Sequence, residues 1–242
     1  METKEKREVL SVIIPCFNEE DTIEDVIKAV CRTNIYNIER EIVVVDDYSS
    51  DNTWDKIQKL KSKYGLVTIR QKKNGGKGAA VKAGLGVCVG TIVLIQDADM
   101  EYDPSEYSLL LEPILTGKAD VVYGSRFLGA RPHRVLYYWH SLMNRILTVL
   151  SNMFTNINLT DMETCYKVVR GDIIRQIAPL LKSKRFGFEP EITARLARIK
   201  GLRFYEVGIS YYGRTYNEGK KITWRDGLKA IYQIFYYNVV AR

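Results

Sequence analysis

The segment QDAD, residues 96–99, closes an apolar run, TIVLIQD, at residues 91–97. Residues i and i+2 of a strand point to one face, so the Asp97 and Asp99 carboxylates can converge across the small Ala98. Two adjacent carboxylates repel each other and are relieved by a cation or a proton. Hard oxygen donors select Mg2+ or Mn2+, ions that also bind diphosphate oxygens. Glu101, two residues further on, is a candidate third ligand. The bland alternative is a solvated acidic turn; the place at the end of an apolar strand favours the metal.

Three more segments carry possible chemistry. VVVDDYSSDNT, residues 43–53, puts two neighbouring carboxylates after four apolar β-formers. Asp46 and Asp47 point opposite ways, so one can tie down the loop while the other accepts hydrogen bonds from a nucleobase, uracil or guanine alike. Asp51 is a natural helix cap. IPCFNEE, residues 14–20, has Pro15 closing a strand, with Asn18 and Glu19 facing the same sheet edge or capping the next helix. NGGKGAA, residues 74–80, has glycines before a helix, which let backbone N–H groups approach an anion. It fits neither the GxGxxG of a dinucleotide fold nor a P-loop. Lys77 either touches phosphate or nucleoside, or sits in a simple tight turn.

The elements that must position these residues follow from periodicity. Short apolar runs at residues 9–15, 41–46, 66–70, 91–97 and 119–125 read as strands. Helical patterns lie between them, at residues 19–30, 52–60 and 76–89, and after Pro104. Continuous apolar strands alternating with helices predict a parallel sheet covered on both faces, whose ligands bind at the carboxyl ends of the strands. The second half predicts a long amphipathic helix at residues 135–154, strands at 164–169 and 203–210, a helix at 189–199 and a helical tail at 224–240.

Composition narrows the function classes. The chain has 242 residues, a length that suits one α/β domain with an appendage. Its net charge of +7 favours a polyanionic or phosphorylated partner. No zinc finger, helix-turn-helix or RNP pattern supports nucleic acid. Cys16, Cys31, Cys88 and Cys165 form no CxxC pair, and His133 and His140 are the only histidines, which argues against structural zinc. Reduced, buried thiols suit the cytoplasm. The charged start METKEKREVL has no signal-peptide core, and no apolar run is long enough to span a bilayer.

In their order, IPCFNEE, VVVDDYSSDNT, NGGKGAA and QDADMEYDP resemble glycosyltransferase family 2 and its GT-A fold. The resemblance continues through GSR at residues 124–126, DMETCYK at 161–167 and FGFEPEI at 186–192, nearly the whole chain. Within the family the chain is most similar to the polyprenyl-phosphate hexosyltransferases. The resemblance implies an α/β, Rossmann-like, mostly parallel sheet flanked by helices. The domain would cover residues 1–223 and a C-terminal amphipathic helical tail residues 224–242. Pro15, Asn18, Glu19 and Asp47 would cradle the nucleotide, with Lys77 beside them, and Asp97 and Asp99 would hold the nucleotide-sugar donor and its Mg2+ or Mn2+. At the position of Glu101 that branch commonly has Gln, so the extra charge leaves its ligand role open. Arg126, Arg214 and Lys220 would face phosphates, their alternative being exposed surface charge. Asp161 and Glu163, with Arg126, are the catalytic candidates.

The acceptor decides what Asp161 must do. A hydroxyl acceptor needs a general base. A phosphate acceptor is already anionic and does not, and Asp161 would then orient the acceptor or cap a strand. Net charge, the phosphate-facing cations and an apolar amphipathic segment point to a lipid phosphate. Tyr137, Tyr138, Trp139, Leu142, Ile146, Leu147 and Leu150, with Arg131, Arg134 and Arg145 nearby, would form a face for a membrane surface, or else an ordinary core helix. A glycan acceptor, and a nucleotide-sugar-binding module without turnover, are the competing readings; the intact Asp97–Asp99 pair speaks against the second. The sequence leaves the oligomeric state open.

Overall fold

The structure is a computed structural model that describes residues 7–36, 38–129, 134–135, 137–215 and 224–241. Seven strands form one sheet: β1 (Val9–Cys16), β2 (Glu39–Asp46), β3 (Val67–Arg70), β4 (Ile92–Ile95), β5 (Val121–Ser125), β6 (Lys167–Arg170) and β7 (Phe204–Gly208). Their spatial order is β3-β2-β1-β4-β6-β5-β7. Only β6 runs against its neighbours, antiparallel to both β4 and β5. The helices are α1 (Ile23–Arg32), α2 (Thr53–Tyr64), α3 (Lys77–Leu85), α4 (Tyr107–Leu115), α5 (Tyr138–Thr155), α6 (Gly171–Ile177), α7 (Phe188–Ala197) and α8 (Trp224–Phe235). A π-helical turn, Tyr236–Val240, follows α8.

The central strands are apolar on both faces because helices cover both. Leu10, Val12, Ile13 and Ile14 of β1 and Val43, Val44 and Val45 of β2 are wholly buried. β-branched side chains at these positions lose little freedom on a pleated surface. Pro15 lies inside β1, paired in register with Val45, and does not close the strand. Ile13 accepts from Gln96 N–H on the β4 side, so Pro15, two residues on, turns its missing donor to the same side, where the β4 ladder has already ended.

The helices start and stop for local reasons. Asp51 Oδ1 accepts the Thr53 N–H at the start of α2, and Gly65 ends that helix in the left-handed region. A short 3-10 turn, Pro104–Glu106, precedes α4 and is capped by Asp103. α6, which follows β6 directly, is too short to leave a periodic signature in the sequence. α8 packs on α5 and α7, burying Ala230 and Ile234. No helix among the described residues is long and apolar enough to cross a membrane.

α3 lies directly on β1 and β2. A Cβ on Gly84 would stand 2.6 Å from Ile13 Cγ2, so the helix approaches the sheet as closely as it does only because that position has no side chain. Gly84→Leu is expected to lower the unfolding free energy by about 1–3 kcal/mol through overpacking, read by urea denaturation. An unchanged midpoint would mean that the α3–β1 contact is not tight.

Candidate active site

The first loop is assembled by its own polar atoms. Asn18, with φ 51°, donates its N–H to Ser49 Oγ at 3.0 Å and accepts the Ser50 N–H on Oδ1 at 2.9 Å. The Glu19 N–H donates to Thr53 Oγ1. The two carboxylates after β2 both have structural partners. Asp46 accepts the Ser49 N–H and pairs with Arg70, whose guanidinium lies over the Tyr48 and Trp54 rings. Asp47 accepts the N–H groups of Gly75 and Gly76 at 2.8 and 2.6 Å. Sequence reasoning expected one of the pair to tie down a loop; the structure has both doing so. Gly76 has φ 88°, and a Cβ there would meet Lys184 O at 2.6 Å.

β4 ends at Ile95, so Asp97 and Asp99 lie in the turn beyond it rather than on one face of a strand. Gln96, fully buried, fixes the start of that turn by accepting the Tyr107 and Tyr166 hydroxyls at 2.7 and 2.8 Å. Each aspartate then meets its own cation. Lys77 reaches Asp97 at 2.9 Å and, on its other side, Glu189 at 2.9 Å. Burial alone would lower the Lys77 ammonium, but Asp97 and its other anionic neighbours hold it well above the ordinary lysine range. Arg214 reaches Asp99 at 3.2 Å and Glu19 at 3.3 Å. Burial, then the charges of Asp97 and Glu101, push Asp99 up to about 7.

Glu101 is spent elsewhere. Its carboxylate accepts the Tyr211 hydroxyl at 2.6 Å and the Arg214 N–H at 2.7 Å, pinning the segment that carries Arg214. Among the described residues no three carboxylate, cysteine or histidine side chains stand together as a metal-binding group. Of the expected trio Asp97, Asp99 and Glu101, the third is held here by a tyrosine hydroxyl and a backbone N–H. Asp97 and Asp99 still fit a divalent cation. They are hard donors, and a cation would offset both the burial and the neighbouring charges that push Asp99 up.

On the β5–β6 side, Arg126 is buried against Asp161. Nε and an outer nitrogen of the guanidinium form a two-pronged pair with the carboxylate at 2.7 and 2.8 Å, and the Arg126 N–H adds a third bond. Asp161 is fully buried, and both its oxygens are occupied. Both oxygens face Arg126 rather than an open donor position. Glu206 accepts the N–H groups of Thr160 and Asp161 and holds that loop. Glu163, nearby, has a buried Oε1 without a hydrogen-bond partner. Burial, then Glu189, raises it to about 8.

The sequence motifs thus meet at one edge of the sheet. Lys220 and Arg131 lie outside the described residues. Glu189, Gln96 and Tyr211 carry structural or electrostatic roles that sequence reasoning did not assign. FGFEPEI marked the neighbourhood of Glu189, but nothing in its spacing pointed to Lys77.

α5 divides the face expected of it. Leu147 is buried and Leu150 packs against the core, whereas Tyr137, Tyr138, Trp139 and Ile146 are exposed. Phe154 of α5 meets Phe235 of α8 edge to face at 6.2 Å, joining the exposed apolar surfaces of the two helices.

Residues 11–178 match the family described as Glycosyl transferase family 2. An undecaprenyl-phosphate mannosyltransferase of Micrococcus luteus is 33% identical over 217 residues, covering 86% of this chain and 85% of the relative. A dolichol-phosphate mannosyltransferase of Pyrococcus furiosus is 38% identical over 119 residues, 49% of this chain; the match spans only a third (33%) of that relative's length. In fold, the chain is similar to glucosyl-3-phosphoglycerate synthase from Mycobacterium tuberculosis in complex with Mn2+, UDP and glucosyl-3-phosphoglycerate. The TM-score is 0.70 at 18% identity, over 96% of this chain and 80% of that one.

The Glu163 shift has a measurable consequence. Between the ordinary glutamate value of 4.5 and about 8, the folded state keeps a proton on Glu163 that the unfolded state has released. Its contribution to stability therefore falls as pH rises through that window. Glu163→Gln, which has no charge to lose, should gain in Tm relative to the wild type between pH 5 and pH 8. An identical Tm difference at both pH values would mean that Glu163 is ionised throughout.

Proposed function

The chain belongs to glycosyl transferase family 2, and we propose that within it the enzyme moves a hexose from a UDP- or GDP-linked donor to a polyprenyl phosphate, with inversion. The observation that carries this reading is the pairing at the cleft. Each of two neighbouring carboxylates, Asp97 and Asp99, is balanced by a cation, and the cation-bearing Arg126 stands oriented by Asp161. Such a site suits a metal-bound diphosphate on one side and an anionic acceptor on the other. The names of the mannosyltransferase relatives and the Mn2+ and UDP of the fold neighbour support the same reading.

In this reading Asp97 and Asp99 would hold Mg2+ or Mn2+, which when bound would offset the charge of the leaving diphosphate. Arg214, now between Asp99 and Glu19, is placed to turn toward phosphate, as guanidinium groups suit phosphate oxygens. Pro15, Asn18, Glu19 and Asp47 shape the nucleotide cradle; the last acts by fixing the Gly75–Gly76 amides. The acceptor's phosphate oxygen attacks the anomeric carbon from the face opposite the diphosphate. The bond from that carbon to the diphosphate oxygen breaks as the bond to the acceptor oxygen forms. No proton moves, so no base is required, in keeping with an Asp161 committed to Arg126.

Lipid acceptors bring the enzyme to a membrane surface. The exposed aromatic residues of α5, with Leu228, Tyr232 and Phe235 of α8 and the basic Arg145 and Lys229, form an interfacial face of the appropriate kind. The segment 224–242 would serve as its amphipathic tail.

Two measurements test this reading. Single-turnover transfer should occur to polyprenyl phosphate and not to an oligosaccharide, and excess EDTA should slow it at least roughly a hundredfold. Transfer only to the sugar hydroxyl would overturn the acceptor and leave the donor standing. Flotation with anionic liposomes should recover the wild type at low salt, and Tyr138→Ser with Trp139→Ser together should weaken recovery. No flotation of the wild type would return α5 to an ordinary surface helix.

A further inference from the structure

Two buried carboxylate oxygens beside the donor site, Glu189 Oε2 and Glu163 Oε1, have no hydrogen-bond partner. Glu189 is 4% exposed, and its other oxygen holds Lys77 at 2.9 Å. Lys77 in turn holds Asp97 at 2.9 Å, so a single ammonium separates the Glu189 carboxylate from the donor-site aspartate. Glu163, two residues from the Arg126 partner Asp161, interacts electrostatically with Glu189, Lys167, Arg126 and Asp161. Glu189 thus adjoins the side that would hold the diphosphate and Glu163 the side that would hold the acceptor, the two close enough to feel each other's charge.

The nearby cations do not complete them. Lys167 spends its ammonium on the carbonyl oxygens of Met162 and Thr164 and lies over the Tyr123 ring. The Arg126 guanidinium is committed to Asp161. A buried acceptor left without a donor is destabilising, and a bound donor group relieves it. The ground between a diphosphate site and an acceptor site is where the transferred group must sit, and a hexose is a ring of hydroxyl donors.

We infer that Glu189 Oε2 and Glu163 Oε1 form the subsite for the transferred hexose, taking hydrogen bonds from its ring hydroxyls. The inference rests on the donor reading above and adds to it the residues that select the sugar. A hydroxyl both donates and accepts, so it serves Glu163 with or without its proton. Sugars that lack the matching hydroxyl, or carry it substituted, leave a carboxylate oxygen unpaired and are rejected.

The experiment is calorimetric titration, with Mn2+ present, of the wild type, Glu189→Gln and Glu163→Gln. The ligands are UDP, GDP, the corresponding nucleotide-hexoses and monodeoxy analogues of the preferred hexose donor. The nucleoside diphosphate should bind all three proteins within about twofold, while each variant binds the nucleotide-hexose about tenfold more weakly than the wild type. At least one deoxy donor should lose a similar factor on the wild type and nothing further on one of the variants. Equal weakening of diphosphate and nucleotide-hexose would make Glu189 a positioning residue for Lys77 and overturn the subsite. So would a deoxy series without loss on the wild type, a result that stands even if a variant fails to fold. A wild type that binds neither UDP nor GDP would overturn the donor reading and the subsite with it.

Discussion

Glu19, Asp97, Asp99 and Glu101 lie beyond the carboxyl ends of β1 and β4, and each is held by a cation: Asp97 by Lys77, the other three by Arg214. Lys77 comes from the start of α3 and Arg214 from the segment after β7. Glu189 of α7 also pairs with Lys77, and Glu101 accepts the backbone N–H of Arg214. Four remote parts of the chain are thereby drawn to one point. The electrostatic balance that folds the site is also what a metal-bound diphosphate would replace.

The Arg126–Asp161 pair obeys a different logic. Burying two charges is costly, and an ion pair of this kind seldom adds net stability over apolar residues of similar size. What it provides is orientation. Two prongs and a backbone N–H leave the guanidinium one position, and Glu206 fixes the loop that supplies the carboxylate. A site that must present a cation at a defined place gains from this arrangement even where the fold does not.

The strands and the edge of the sheet that carries the chemistry were legible in the sequence because burial on both faces leaves unbroken apolar runs, such as VVV before Asp46 and IVLI before Gln96. The Asp97–Asp99 pair stood out because it follows such a run, although the strand whose alternation was to bring the two together ends at Ile95. The direction of β6 was not, since KVVR reads the same whether its neighbours run with it or against it. Nor was the fate of Glu101 or Asp47: both are claimed by partners distant in sequence or by backbone N–H groups, which leave no mark on spacing. Lys77 remained open between a turn residue and a ligand contact because its two carboxylates lie 20 and 112 residues away (97 − 77 and 189 − 77). α5 mixed two signals, one face of its helix serving the core and the other solvent.

The reversed strand has a consequence for how such enzymes can diversify. Because β6 runs antiparallel beside β5, with Tyr123 paired to Lys167, the excursion through residues 126–166 leaves and rejoins the sheet at the same rim. Its two ends stay pinned together whatever lies between them. The entropic cost of lengthening such a closed segment grows only slowly with its length. α5 and its flanks therefore behave as an exchangeable cassette. On the proposed reading, rewriting this stretch would alter the acceptor side, while the donor side, which would be built on β1, β2 and β4, kept its strand pairing.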